Sequence, residues 1–335
     1  MFESKNISLP RPAPYPRWLG DIGGTNARFG WQACEGAEIT QVQVFPCAAY
    51  ASLYDAAQAY ADYLKQYAIP VPACAAFGIA TAVTGDAVAM TNHPWAFSVD
   101  ALRQRLGLAR LVLLNDFTAL ALSLPHLPPE HRQQVGGGVA VPDCAIGLIG
   151  PGTGLGVSGL LPVGLPNQWI PIAGEGGHAS LSADNPLEVE VMAYFQRRYG
   201  HASAERVVSG AGLVDLFYAL GGDATQPITP AEVMQQALND STTLASQALD
   251  MFCGFLGSMA GNLALTLGAR GGVYIGGGIV PRMGERFAQS PFRARFEEKG
   301  RCKAYLHGIP VWVIHSPVSP ALQGASQALA LALRS

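Results

Sequence analysis

Two stretches of this chain follow one plan, and that repetition constrains its architecture more than any other feature. In the first, Trp18-Leu19-Gly20-Asp21-Ile22 runs into Gly23-Gly24-Thr25, and Asn26-Ala27-Arg28-Phe29-Gly30-Trp31 leads out. In the second, Cys144 to Ile149 is a predicted strand, Gly150-Pro151-Gly152-Thr153-Gly154 a glycine turn, and Leu155 to Leu161 the returning strand. Each reads as a β-hairpin with a threonine in a glycine bend, and the pair reads as an internal duplication. Paired glycines allow backbone that other residues cannot adopt and let amide N–H groups approach a ligand closely. A concave run of such donors is an anion site. Asp21, at the end of the first strand, offers hard carboxylate oxygens to Mg²⁺, directly or through water. Thr25 and Asn26 add neutral donors, and Arg28 a fixed positive charge or a structural partner for a carboxylate. An ordinary tight hairpin carries the same local signature, so one hairpin alone does not separate the two.

A chain of 335 residues is long for one core and comfortable for two domains. Charged residues are only 13%, against about 25% in an average domain, so a sizeable core is available. The net charge of −3 leaves no electrostatic footprint for nucleic acid or an anionic membrane. Six scattered cysteines with no CxxC pair argue for reduced thiols in a cytoplasm rather than zinc or disulfides. Met1 to Arg17 is Pro-rich and polar, has no apolar signal region, and is expected to be a flexible arm. Met251 to Gly268 is uncharged and long enough to raise a membrane span, yet it holds Gly254, Gly257, Gly261, Ser258, Asn262 and Thr266. With apolar residues at helical spacing, it is expected to be a buried central helix whose glycines permit close helix contact.

Elsewhere the pattern predicts a helix over Tyr50 to Gln66, a buried strand over Ala73 to Ala80, and a hairpin over Val83 to Met90 turning at Gly85-Asp86. The loop Thr91-Asn92-His93-Pro94-Trp95 follows, and then a short helix capped by Ser98. Leu111 to Leu114 is an apolar strand ending at Asn115-Asp116, where a helix begins. Pro125 to Gln134, with three prolines, marks a domain crossover. Strands are further predicted at Gly272 to Ile275 and Val311 to Ile314, and helices over Pro186 to Tyr199 and from about Ala321 on. Hairpin strands followed by alternating helix and strand predict mixed sheets covered on their faces.

Familiar nucleotide motifs fail. No GxxxxGK[ST] is present, so there is no Walker-type loop. Gly154 to Gly159 matches GxGxxG, but Leu160-Leu161-Pro162-Val163-Gly164 follows, which does not start the helix a dinucleotide site needs. What remains is two glycine hairpins expected to face one another from two domains, with Asp116 at the tip of an apolar strand between them. Phosphoryl transfer needs these parts: donors for the polyphosphate, a metal-binding acid, and a carboxylate on the attacking hydroxyl. Asp116 also reads as a helix N-cap, a role compatible with the first.

The ordered set Gly20 to Arg28, Leu114-Asn115-Asp116-Phe117, Gly152-Thr153-Gly154-Leu155-Gly156, Gly174-Glu175-Gly176-Gly177-His178, Ser203 to Gly210 and Gly272 to Ile279 resembles the proteobacterial glucokinase family, from about Trp18 to the C-terminus. The resemblance implies an α/β, two-domain actin/hexokinase-like (ribonuclease H-like) fold with an interdomain cleft. The expected organisation is an arm over 1–17, a small α/β domain of 18–124 plus 318–335, and a large α/β domain of 125–317. The implied reaction is ATP-dependent phosphorylation of glucose at its 6-hydroxyl. By motif, Asp116 would be the general base. Asn115, Glu175, His178 and Glu205 would hold the sugar, with Asn92 a further contact. Gly23, Gly24, Thr25, Asn26, Gly152, Thr153 and Gly154 would face phosphates. Gly276, Gly277 and Gly278 would lie against the adenosine, and Asp21 would hold Mg²⁺ through water. The resemblance also implies a homodimer.

Two other readings have sequence discriminators. A related repressor/kinase family that takes other hexoses usually carries a Cys-rich zinc motif after its sugar-binding His, and none follows His178. A DNA-binding sugar sensor needs a basic helix-turn-helix, for which Met1 to Arg17 is too short and too Pro-rich.

Overall fold

The first repeat forms a hairpin. In the computed structural model, which describes residues 14–91, 93–164 and 168–334, β1 (Arg17–Ile22) and β2 (Asn26–Gln32) pair antiparallel about residues 23–25. β3 (Ile39–Pro46) extends the pair on the β2 side. α1 (Leu53–Gln66) starts at Ser52, whose hydroxyl accepts the Asp55 N–H. β4 (Cys74–Ile79), buried at every position, lies parallel to β1. After β5 (Ala87–Ala89), β6 (Ala96–Ser98) and α2 (Val99–Arg105), β7 (Arg110–Asn115) lies parallel to β4 and turns directly into α3 (Asp116–Ser123). The sheet order is β3-β2-β1-β4-β7. Ile22 pairs with Ile79 and Ile79 with Asn115, so β1, β4 and β7 end at one edge.

The second repeat builds a second sheet on the same plan. Its elements are β8 (Arg132–Val135), β9 (Ile146–Pro151), β10 (Leu155–Pro162) and β11 (Trp169–Ala173), then α4 (Pro186–Tyr199), α5 (Ala204–Val207), α6 (Gly210–Ala219), α7 (Pro230–Asn239) and α8 (Leu244–Leu267). β12 (Val273–Ile275), α9 (Glu285–Ala288), α10 (Phe292–Glu297), α11 (Lys303–His307) and β13 (Val311–Ile314) follow, and α12 (Pro320–Arg334) closes the chain. The order is β11-β10-β9-β12-β13-β8. Its first five strands repeat the first sheet in order and direction, two antiparallel pairings and then two parallel ones. β8 is an added antiparallel edge. The architecture is thus α/β, with two mixed sheets and helices. Two units result: the chain up to Leu124 with Val318 onward, and Pro125–Pro317.

In the first unit, Trp18, Phe29, Tyr60 and Phe77 pack with ring centroids 5.4 to 5.8 Å apart. Gly20 is glycine because a Cβ there would sit 2.5 Å from the Phe77 ring. On the other face, Leu322, Ala325 and Leu329 of α12 cover Leu19, Cys74 and Ala76. In the second unit α8 is the expected buried helix, long and apolar enough to cross a membrane by composition but mostly inside the core. A Cβ on Gly257 would meet the Phe292 carbonyl at 2.3 Å, and one on Gly261 the Phe296 carbonyl at 2.6 Å, so both glycines admit α10.

Three expectations need correction. Arg17 belongs to β1 rather than to the arm: it is buried, and its guanidinium donates to the Ser326 hydroxyl at 2.7 Å. No hairpin turns at Gly85-Asp86. β5 pairs instead with β6 about the 90–95 loop, because the Asp86 carboxylate accepts the Asp100 N–H and its carbonyl the Val99 N–H, which holds it at the start of α2. The cap of α3 is Asn115, not Asp116: Asn115 Oδ1 accepts from Phe117 N at 2.9 Å and Thr118 N at 3.2 Å.

Candidate active site

The first unit gathers its candidate residues at the shared carboxyl edge of β1, β4 and β7, where open parallel sheets bind ligands. Asp21 precedes the end of β1, residues 23–25 form the bend, and Asn115 and Asp116 sit at the tip of β7. A Cβ on Gly78 would meet the Ala119 Cβ at 2.9 Å, so glycine there lets α3 start close against β4. Asn115 is bound at both ends of its amide, since Nδ2 donates to the Thr81 carbonyl at 3.3 Å. It therefore fixes the residue after it. Asp116 is half-buried, and its Oδ1 accepts the Phe117 N–H at 2.9 Å. Asp21 and Arg28 are cross-strand partners, and Arg28 Nη1 donates to Asp21 Oδ2 at 2.9 Å. That settles Arg28 as a carboxylate partner in this arrangement.

The bend itself is closed by Gly23 N–H on the Asn26 carbonyl at 2.9 Å and anchored by Cys47 N–H on the Thr25 carbonyl at 2.8 Å. Thr25 and Asn26 are exposed. Asn92 lies outside the described residues. Its loop neighbours are well anchored: Trp95 is buried, donates its indole N–H to the Tyr50 carbonyl at 3.1 Å, and packs edge-on to the His93 ring.

The second unit brings four separate motifs to one place, the β9–β10 bend around Leu155. The Glu205 carboxylate Oε2 accepts the Leu155 N–H at 2.9 Å, and a Cβ on Gly154 would sit 2.3 Å from that oxygen, so any side chain there would push the carboxylate aside. Gly177 presses on the other side of the same residue, its would-be Cβ 2.2 Å from the Leu155 carbonyl. This contact seats the 175–178 turn, where His178 N–H bonds the Glu175 carbonyl at 3.0 Å and both side chains are exposed. Ala204 N–H to the Ala179 carbonyl, 2.9 Å, ties that turn to α5 and so to Glu205. Gly210 N–H bonds the Gly152 carbonyl at 2.9 Å. Gly277, at φ +76°, has room for no Cβ because the Pro151 carbonyl would be 2.2 Å away, and Gly276 N–H continues the ladder to Ile149.

The glycines fall into two kinds. Gly154, Gly177 and Gly277 are explained by packing. Gly23 and Gly152 are not: neither has positive φ, a Cβ on Gly152 would meet nothing within 4 Å, and one on Gly23 only an ordinary contact at 3.5 Å. At these two positions no left-handed backbone requires glycine, and what glycine contributes there is open space beside amide donors.

The glucokinase family model matches residues 18–332. A glucokinase from Aromatoleum aromaticum is 51% identical over 322 residues, covering 95% of this chain and 96% of that one. A glucokinase from Chromobacterium violaceum is 51% identical over 327 residues, 97% and 92% of the two chains. The chain belongs to the glucokinase family. It is an enzyme that phosphorylates glucose with ATP. The crystal structure of a glucokinase from an Antarctic psychrotroph, 33% identical, superposes with a TM-score of 0.82 over 94% of this chain and 99% of that one.

Ser209 and Gly210 close the Ser203 to Gly210 motif, where sequence reasoning gave them no individual role. Ser209 caps α6 by accepting the Gly212 N–H, and Gly210 holds the Gly152 carbonyl. The Ser-Gly pair ahead of an apolar run was a readable cap signal; its contact with a bend some sixty residues earlier was not.

Proposed function

We propose that glucose and ATP meet in a cleft between the two units, with the first unit supplying the base and the second the sugar-binding ring. Glucose hydroxyls bond Asn115, Glu175, His178 and Glu205, with Asn92 a further ligand. Such a set suits a polyol, because each carboxylate accepts two O–H bonds and an imidazole donates one. Asp116 takes the proton of the 6-hydroxyl as that oxygen attacks the γ-phosphorus in line. The O–P bond to glucose forms, the bond to the β-phosphate oxygen breaks, and ADP departs. Closure of the cleft removes the water that would otherwise compete as acceptor. The observation that supports this best is the convergence of Glu205, the 175–178 turn and the Gly152 bend on Leu155.

Amides of residues 23–26 and 152–154 would receive the phosphates, and Gly276 to Gly278 the adenosine. Among the described residues no cluster of three or more His, Cys, Asp or Glu could hold a metal alone. Mg²⁺ arriving with ATP would need no such cluster, because it keeps several waters and is held by one or two carboxylates plus substrate phosphates. Asp21 would meet it through water, with Arg28 holding its other side. Bound there, Mg²⁺ would neutralise charge on the phosphates. A cytoplasmic homodimer completes the proposal, and sedimentation equilibrium reads its stoichiometry.

The test of substrate is a panel of glucose, mannose, fructose and N-acetylglucosamine in a coupled ADP assay. Glucose is expected to have the highest kcat/KM, and Glu205→Gln to raise its KM by about tenfold or more, the scale of a charge-assisted hydrogen bond. Equal turnover of the four sugars overturns the assignment. The test of the bend is Gly152→Ala. Since φ and space both tolerate alanine, the melting temperature is expected to hold or rise, a compatible Gly→Ala change adding about 0.4–1 kcal/mol. The KM for ATP is expected to rise by about tenfold as the methyl fills the space beside the phosphates. An unchanged KM for ATP removes Gly152 from the phosphate site.

A further inference from the structure

Thr81 is assigned no role by the motifs, yet the carboxyl edge of the first sheet is stitched together at this residue. Thr81 follows the end of β4 and is 9% exposed. The preceding Ala80 N–H bonds the Ile22 carbonyl at 2.8 Å, at the entrance to the glycine bend. The Thr81 carbonyl accepts Asn115 Nδ2, beside Asp116. Its hydroxyl donates to the Ala89 carbonyl at 3.0 Å and lies 3.2 Å from the Thr91 hydroxyl. A threonine hydroxyl has one proton, already given to Ala89, so Thr91 is the donor in the second contact.

We infer that Thr81 is a positioning residue: its hydroxyl holds Ala89 and Thr91, at the end of β5, in register with the Asn115–Asp116 tip. This rests on the reading above that the tip and Asn92, the residue after Thr91, serve the sugar. Thr81 itself touches no reacting atom. A polar group nine-tenths buried is kept only where its bonds are made. Here both hydroxyl bonds run to the end of β5 and the turn after it, while the carbonyl bond runs to the cap of α3. The end of β5 and the tip are thus registered through one residue, and the register sets how well a sugar fits rather than how fast a proton moves.

The test compares Thr81→Val, Thr81→Ser, Thr91→Val and the Val/Val double variant in the full-length enzyme. Valine keeps the shape and the carbonyl and removes the hydroxyl. The expected result is a KM for glucose raised about three- to tenfold, the scale of one or two hydrogen bonds, with kcat and the KM for ATP little changed. Thr81→Ser is expected to restore the glucose KM. The double variant should be no worse than the worse single one, since both lose the same contact. Thr91 is exposed, so its variant keeps the test available if Thr81→Val fails to fold. An unchanged glucose KM in both single variants overturns the inference. So does a fall in melting temperature with both KM values shifted together and no rescue by serine. Failure of the wider reading is read separately, from Asp116→Asn: if that variant retains turnover the base is misassigned, whatever Thr81 does.

Discussion

Asp116→Ala is expected to lower kcat by about 10²–10⁴-fold, the range a positioned general base contributes, while glucose binding measured by calorimetry survives. The two effects separate because of how the tip of β7 is built. The cap of α3 belongs to Asn115, whose Oδ1 serves the Phe117 and Thr118 amides, so the first turn of the helix does not depend on the Asp116 carboxylate. The close seating of α3 depends on Gly78, which the substitution leaves alone. Asp116→Asn sharpens the test. It keeps an oxygen for the Phe117 N–H but has no basic lone pair for a hydroxyl proton, so its kcat should fall as far as that of the alanine variant. Near wild-type turnover in Asp116→Asn would place the base elsewhere. Conversely, Asn115→Ala would disturb cap, tether and sugar contact at once, which makes it a poor probe of any one of them.

What could be read in the chain, and what could not, divides by distance along it. The hairpins β1–β2 and β9–β10 were legible because alternation and a glycine bend are local signals. The all-apolar β4 and the glycine-rich α8 were legible for the same reason. Gly85-Asp86 carries an equally good local turn signal and was misread, because Asp86 is taken by the Asp100 and Val99 amides at the start of α2. Asn115 and Asp116 are both good capping residues, and a one-residue offset lies below what propensity resolves. The glycines show the same limit. Gly20, Gly154, Gly177 and Gly277 lie against Phe77, Glu205, Leu155 and Pro151, each more than twenty residues away. The candidate site was legible as an ordered set of motifs rather than as chemistry. No single residue among Glu175, His178 and Glu205 announces a sugar, and their meeting at Leu155 is a property of the fold.

That meeting makes Gly177→Ala the second variant with a large expected effect. The added methyl would lie 2.2 Å from the Leu155 carbonyl and 3.3 Å from its Cβ. The obstacle is backbone on both sides, so it cannot be relieved by turning a side chain. Leu155 in turn gives its N–H to Glu205, and the 176–178 turn carries Glu175 and His178 at its two ends. One methyl therefore displaces all three candidate sugar ligands of the second unit. A shift of about 1 Å at positioning groups can cost about 10² in rate, and kcat/KM for glucose is expected to fall on that scale. The overpacking itself costs about 1–3 kcal/mol. The neighbouring glycines supply graded controls. A Cβ on Gly176 meets the Val157 side chain at 2.8 Å, which can yield in part, and one on Gly174 meets nothing within 4 Å. The loss in kcat/KM should therefore increase in the order Gly174→Ala, Gly176→Ala, Gly177→Ala, with the first near wild type. If Gly177→Ala keeps its glucose kcat/KM while its stability falls, the turn is structural and the sugar is held by other residues. If Gly174→Ala loses as much as Gly177→Ala, the turn meets the substrate along its outer face instead of presenting Glu175 and His178 to it.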